Sequence, residues 1–255
     1  MKSTNNKLNK YLKNDFILIY QMGKVGSTFI EKNLNNTANI HTLYSNHPCP
    51  YNHSVGYLGV RRWCTEKIYE IIKKTIIKSR KKTKIITIYR DSAERNISMF
   101  MQDFPFWYTL AMRDGIINGK MEDKDLPYTI FKRKFPHEYP YSWFDKELKR
   151  LTGIDISNKI DEIIKNSTTE IETKKFNILI INYNDINNKE TISAIENFCS
   201  AKIEIKGANA SKDKWYSPIY NEIVDKKLNE IKNDYMRKFE KHKFQRVLNR
   251  DNRAN

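Results

Sequence analysis

The segment Gln21–Thr28 holds the residue types that bind an anion where a strand turns into a helix. It reads Gln-Met-Gly-Lys-Val-Gly-Ser-Thr after an apolar run, and apolar residues at helical spacing follow it. Its two glycines let the backbone approach an anion closely, and N–H groups at a helix start favour negative charge. A lysine and two hydroxyls add donors. The residues predicted to hold a phosphate-like group are Gly23, Lys24, Val25, Gly26, Ser27 and Thr28.

This loop departs from the Walker pattern GxxxxGK(S/T), in which the lysine follows the second glycine. Here Lys24 precedes Gly26, and Thr28 follows a serine. The departure disfavours a magnesium-dependent NTPase, although a kinase or other phosphotransferase on a related P-loop stays open as an alternative.

A second set of polar residues follows another apolar run. Arg90 comes directly after Ile85–Tyr89, and Ser98 comes eight residues later in a stretch with helical spacing. Ligands of open parallel sheets bind outside the carboxyl ends of the strands, so Arg90 is expected to face the same crevice as Lys24. Two helical turns place Ser98 about 12 Å along the helix axis. This spacing predicts a second phosphate held by Arg90 and Ser98.

Short apolar runs alternate with longer amphipathic stretches along the chain. The runs predicted as buried strands are Phe16–Tyr20, Ile40–Tyr44, Ile85–Tyr89 and Ile178–Tyr183, with a weaker one near Ile203–Ile205. The stretches predicted as helices are Thr65–Lys82, Ser92–Gln102 and Ile219–Leu248. The alternation predicts an α/β fold in which helices cover both faces of a parallel sheet. Because this length does not demand two domains, residues 1–255 are predicted to form one.

Aromatic residues concentrate between the third and fourth predicted strands. They recur over residues 104–150 together with four prolines. We predict an aromatic-rich insertion of helices and loops here, which on a rigid scaffold would form a lid or an acceptor wall, and a satellite hydrophobic cluster is an equal alternative. The last residues, 249–255, are predicted to form a polar tail.

The formal net charge of +16 favours an anionic partner such as a nucleotide, nucleic acid, acidic glycan or anionic membrane surface. Three cysteines without a CxxC pair imply neither a disulfide framework nor a four-ligand zinc site. No apolar run with a cleavage site opens the chain, and no uninterrupted apolar stretch predicts a membrane span. These features predict a cytoplasmic protein, with contact to the inner membrane face left open.

The pairing of the Lys24–Thr28 loop with Arg90 and Ser98 resembles the PAPS-dependent sulfotransferases, PAPS being 3′-phosphoadenosine 5′-phosphosulfate. The resemblance implies a three-layer P-loop-like fold in which the loop holds the 5′-phosphosulfate. It assigns the 3′-phosphate to Arg90 and Ser98. It also implies that no metal is needed, and it makes Lys24 the candidate for stabilising the bridging oxygen.

The chain is similar in several segments to a bacterial family named after its NKWYS signature and described as capsular polysaccharide synthesis proteins. The segments are Gln21–Thr28, Trp143–Ile156, Ile178–Ile186 and Asp213–Ser217. The signature reads Asp213-Lys-Trp-Tyr-Ser here, with aspartate in place of asparagine. The similarity spans most of the chain, from about Phe16 to Tyr235. It implies sulfuryl transfer from PAPS to a hydroxyl of a capsular or other surface glycan, and it places Lys212 and Lys214 near the 3′-phosphate.

An acceptor hydroxyl calls for a general base, and histidine suits neutral pH. His41 lies on the second predicted strand and resembles a histidine at the same place in the sulfotransferases, while His47 follows that strand. We therefore predict His41, and then His47, as the base, with a structural role equally open. The spacing of His47, Cys49, His53 and Cys64 matches no usual zinc pattern, so no metal is predicted.

One alternative from a different class is a non-catalytic basic module that binds nucleic acid or an anionic glycan. Such a module would show a steep salt dependence and no nucleotide requirement. Under the sulfotransferase interpretation, the expected partners are PAPS, its desulfated product PAP and a glycan acceptor, without specific nucleic acid.

Overall fold

The computed structural model describes residues 16–34, 37–44, 70–79, 81–117, 125–203 and 214–240. The predictions made for His47, Lys212 and the tail at 249–255 lie outside these ranges. Within the ranges, no helix is both long enough and apolar enough to cross a membrane.

The sheet and its helices follow one another along the described chain. The strands are β1 Ile17–Tyr20, β2 Thr37–Ile40, β3 Thr83–Tyr89, β4 Thr168–Glu172 and β5 Phe176–Asn182. The longer α-helices are α1 Ser27–Asn33, α2 at 70–78, α3 Ser92–Gln102, α4 Phe104–Arg113, α5 Leu126–Lys134, α6 Tyr139–Trp143, α7 Ile160–Asn166, α8 Lys189–Cys199 and α9 Ser217–Tyr235. Shorter helical segments are the π-helical Phe144–Lys149 and Met236–Glu240, the α-helical turn Arg150–Thr152, and the 3₁₀ turns Ser157–Lys159 and Tyr183–Asp185.

The strands form one sheet in the order β2-β1-β3-β5-β4. β1 pairs in parallel with β2 and β3, β3 pairs in parallel with β5, and β4 runs antiparallel to β5 at the edge. The chain therefore moves to one side of β1 for β2 and to the other side for β3. In open α/β sheets, ligands bind at such a switch point, outside the carboxyl ends of the strands. The predicted α/β class with a mostly parallel sheet is confirmed.

Residue types explain which strands are central and which lies at the edge. β3 and β5 are rich in isoleucine and buried along most of their length, as in strands covered on both faces. β4 reads Thr-Thr-Glu-Ile-Glu and exposes its two glutamates, which suits an edge strand. The sequence patterns did not predict β4, because five residues of this composition contain no apolar run.

One helix is found at its predicted bounds, and one strand is displaced. The helix predicted at Ser92–Gln102 is α3, which the Asp91 side chain caps by accepting hydrogen bonds from two backbone N–H groups. The strand predicted at Ile40–Tyr44 instead ends at Ile40. His41 therefore follows β2 and does not lie on it.

The described chain divides into two compact units. The first contains the sheet and consists of the described residues up to Arg90 and from Trp143 to 203. The second consists of the described residues between 91 and 142 and between 214 and 240. The assignment of residues 1–255 to one domain stays a prediction.

The aromatic segment is largely helical and supplies the core of the second unit. Phe100 contacts Phe104, Phe131 and Phe135 edge-on, with ring centroids 5.6, 5.2 and 6.1 Å away. Trp107 is buried as well, with its ring centroid 5.3 Å from that of Phe135. The helices and connecting loops are consistent with the predicted helical and loop insertion. The buried rings show that it contains a hydrophobic cluster, and a role as lid or acceptor wall stays a prediction.

Candidate functional site

Polar side chains follow the parallel strands at the carboxyl edge of the sheet. Gln21 comes after β1, His41 after β2, Arg90 after β3 and Tyr183 after β5. The β1–β2 pairing continues past the strands, since the Gln21 N–H donates to the Ile40 carbonyl at 3.2 Å. The topology thus gathers at one edge four side chains that are far apart in the sequence.

The turn between β1 and α1 has a left-handed backbone at three positions. Gly23, Lys24 and Gly26 have φ angles of 82°, 62° and 81°. A positive φ is uncommon for a lysine, and such strain clusters at ligand sites. The fully buried Val25 anchors this turn to the core. Turn residues of this kind form concave arrangements of backbone N–H groups that bind anions.

Some of the predicted anion-binding residues are buried, and others are accessible to solvent. Ser27 is buried and its Oγ accepts a hydrogen bond from Gln21 Nε2 at 2.9 Å. The Gly23 N–H donates to the side-chain oxygen of the same glutamine. Lys24 is half-buried and Thr28 is exposed. Lys24 and Thr28 therefore have the exposure that contact with a ligand requires, whereas Gly23 and Ser27 support the loop from within.

Arg90 ties the end of β3 to this loop. It is 8% exposed, and its Nη1 donates to the Lys24 carbonyl at 2.9 Å. Its guanidinium carbon lies 4.2 Å from the centroid of the Tyr183 ring, in cation–π geometry. This contact places Arg90 beside the backbone of Lys24, and the opening of both side chains onto one ligand crevice stays a prediction.

Gly26 is enclosed by the same tyrosine. A Cβ atom at this position would lie 2.9 Å from Tyr183 Cε2 and 3.4 Å from Ile186 Cδ1. Glycine is therefore required both by the positive φ and by the close ring. The loop, Arg90 and Tyr183 form one packed unit at the switch point.

The Gln21 amide connects the loop to the end of β2. Gln21 is fully buried, and besides Ser27 its Nε2 lies 3.2 Å from Asn39 Oδ1 and 2.7 Å from His41 Nδ1. The His41 ring nitrogen is also 3.2 Å from the Gln21 carbonyl. The structure thus brings His41 to the loop, as expected, with its Nδ1 engaged by a buried side chain.

A buried carboxylate holds the chain next to His41. Glu147 accepts a hydrogen bond from the Leu43 N–H at 2.7 Å and another from the Tyr20 hydroxyl. Trp143 Nε1 donates to the His41 carbonyl at 2.6 Å. Glu147 belongs to a π-helical segment, a conformation that often marks functional sites. The position of His41 is therefore fixed at its backbone as well as at its ring.

We expect Tyr20 to make the folded protein less stable in alkali. Burial and then the Glu147 carboxylate raise the pKa of the Tyr20 phenol well above its ordinary value of 10.0. Above pH 10.0 the unfolded chain loses the phenol proton, whereas the folded chain keeps it. The free energy of unfolding should therefore fall by up to about 1.4 kcal/mol per pH unit. Denaturant unfolding of wild type and Tyr20→Phe across this range measures the effect, and equal pH slopes would contradict it.

Other predicted residues belong to the second unit. Ser98 is half-buried on α3. Arg95, on the same helix, is fully buried with its guanidinium carbon 4.8 Å from the centroid of the Tyr139 ring. Lys214 Nζ lies 5.6 Å from the centroid of the Tyr216 ring. The assignment of Ser98 and Lys214 to a 3′-phosphate stays a prediction.

The absence of a metal site also stays a prediction. Among the described residues, no group of three or more histidine, cysteine, aspartate or glutamate side chains could hold a metal ion. The histidines and cysteines between His47 and Cys64 lie outside those residues.

Sequence patterns did not single out three residues that build this edge. Gln21 lies inside the predicted loop motif, and its signal was a polar residue directly after a buried strand. Tyr183 has the corresponding position after β5. Glu147 carried no local signal, because its partners lie more than 100 positions away in the chain.

Comparison with known proteins found no family model, curated protein or solved structure that matches this chain.

Proposed function

We propose that the chain is a PAPS-dependent sulfotransferase of the P-loop type that transfers a sulfuryl group to a glycan hydroxyl. The observation that carries this proposal is the contact between Arg90 and the left-handed Lys24 loop, 2.9 Å from Nη1 to the carbonyl oxygen, at the switch point of the sheet. Two cationic residues from different strand ends thereby serve one anion-binding edge.

The reaction requires positive charge more than it requires covalent chemistry. The acceptor oxygen forms a bond to sulfur while the bond between sulfur and the bridging oxygen breaks, and its electron pair leaves with the phosphate of PAP. The acceptor's hydroxyl proton passes to water. In a loose transition state, like that of phosphoryl transfer, charge develops on the leaving and transferring oxygens. Lys24 is the side chain proposed to stabilise the bridging oxygen.

The +16 charge and the left-handed turn support an anionic nucleotide as donor. The resemblance to sulfotransferases supports sulfate as the transferred group, and the similarity to capsular polysaccharide synthesis proteins supports a glycan as the acceptor. The departure from the Walker spacing disfavours ATP with magnesium.

Incubation with sulfur-labelled PAPS and a panel of glycans tests the reaction. We expect label in at least one glycan, without added metal. Labelled phosphate transfer from ATP that depends on magnesium, with no sulfate transfer, would instead support a kinase. Nucleotide-independent binding to nucleic acid that weakens steeply with salt would support the basic module.

Replacement of Arg90 by alanine is expected to weaken PAP binding by about 10- to 100-fold, the usual effect of losing a hydrogen bond to a charged group. Calorimetric titration measures the change. The matched control is Arg113→Ala, which removes the same charge from a side chain that is 72% exposed. Equal loss of affinity in both variants would show that Arg90 affects PAP binding only through the net charge of the protein.

A further inference from the structure

Three side-chain atoms lie within hydrogen-bonding distance of the amide nitrogen of Gln21, which carries two protons, and the nearest of the three is a histidine nitrogen. Nε2 lies 2.7 Å from His41 Nδ1, 2.9 Å from Ser27 Oγ and 3.2 Å from Asn39 Oδ1. The other end of the amide fixes its orientation, because the backbone N–H of Gly23 can only donate and is bonded to Oε1. Gln21 Nε2 therefore acts as a donor toward His41.

A donor at 2.7 Å requires a lone pair on His41 Nδ1. A proton on Nδ1 could reach the Gln21 carbonyl at 3.2 Å, but the ring and the amide would then oppose each other as two donors across the shorter contact. In a neutral imidazole whose Nδ1 accepts, the proton lies on Nε2.

We infer that Gln21 is a positioning residue that holds His41 as its Nε2–H tautomer, so that His41 offers a hydrogen-bond donor and not a base at the carboxyl edge of the sheet. The backbone of His41 is fixed independently, by the Trp143 indole on its carbonyl at 2.6 Å. The backbone position and the proton position of His41 are thus set by different side chains.

The catalytic meaning of this tautomer rests on the proposed function. During sulfuryl transfer, His41 Nε2–H donates to an oxygen of the transferring group and takes up no proton. The acceptor oxygen still forms its bond to sulfur while the bond between sulfur and the bridging oxygen breaks, and the acceptor's proton goes to water. This role replaces the general base predicted for His41 from the sequence.

The tautomer can be measured without any nucleotide. Nitrogen-15 NMR of the ring, at about pH 8, above the ordinary histidine pKa of about 6.5, reports which nitrogen carries the proton. The His41 signal is identified by its loss in His41→Asn. We expect Nε2–H in the wild type, and Nδ1–H there would overturn the inference.

Gln21→Glu gives the sharpest change at this position. The glutamate keeps an acceptor for the Gly23 N–H but replaces the donor that faces Nδ1 by a second acceptor. We expect the His41 proton to move to Nδ1. Asn39→Ala, which removes a different contact of the same amide, should leave it on Nε2. Persistence of Nε2–H in folded Gln21→Glu would overturn the role of Gln21.

Substitution of His41 distinguishes a role as hydrogen-bond donor from a role as general base. Glutamine can donate from a similar position but cannot accept a proton, so His41→Gln should keep transfer within about tenfold of wild type, while His41→Ala should lose about 100-fold. Equal loss in both variants would overturn the donor role. No PAPS transfer by wild type would reject the proposed function, and the NMR result would still decide the role of Gln21.

Discussion

Lys24→Met is expected to lower the rate of sulfuryl transfer by about 100- to 1,000-fold, the usual effect of removing one group that stabilises developing charge. Methionine keeps most of the length of the side chain and removes its positive charge, so the rate reports the charge. Lys24 is half-buried in a left-handed turn, and its backbone carbonyl accepts a hydrogen bond from Arg90. This fixed position suits Lys24 to the role. Initial rates with saturating PAPS measure the change.

The matched control is Lys32→Met, in the last turn of α1. Lys32 has the same charge and lies eight residues further along the chain, but it is exposed. We expect its rate to stay within about twofold of wild type, because exposed charges are screened by solvent and salt. A Lys24→Met enzyme that works as well as this control would remove Lys24 from the mechanism.

Gly26→Ala is expected to destabilise the protein more than an alanine at Gly153, a glycine with a similar φ. The φ of 81° costs an alanine about 1–2 kcal/mol, and the Tyr183 ring, 2.9 Å from the added carbon, adds about 1–3 kcal/mol of overpacking. We expect the free energy of unfolding to fall by about 2–5 kcal/mol and PAP binding to be lost. Denaturant unfolding and calorimetry measure the two effects.

Gly153→Ala separates backbone strain from crowding. Gly153 has a φ of 78° but nothing within 4 Å of an added Cβ. Alanine at this position should lower the free energy of unfolding only by the cost of the strained backbone, about 1–2 kcal/mol. If both alanine variants lose the same stability, then the Tyr183 ring does not confine the loop.

The sequence patterns predicted the central strands well, because β1, β3 and β5 are apolar runs that need no partner to be recognised. In the aromatic segment they did not give the bounds of the helices, for a local reason. Pro105 and Pro127, which suggested irregular structure, lie in the first turns of α4 and α5, where a missing N–H costs nothing. Proline marked the beginning of these helices.

The candidate site was predictable in part. The Lys24 loop and Arg90 could be placed at one edge, because parallel strands share their carboxyl ends. The contacts of Gln21 with His41 and of Glu147 with Leu43 could not be predicted, because they depend on which side chains meet after folding. His41 was expected to be a base from its residue type, its place on a predicted strand and its resemblance to a sulfotransferase histidine. Its proton position depends on a neighbour that the motif did not identify.

The most direct test of a PAPS site is calorimetric titration of the wild-type protein with PAP, with adenosine 5′-phosphate, and with ATP and magnesium. We expect PAP to bind in the micromolar range without metal, and adenosine 5′-phosphate to bind about 10- to 100-fold more weakly because it lacks the 3′-phosphate. Equal affinity for the two adenosine nucleotides, or binding of ATP with magnesium in preference to PAP, would contradict the proposed function.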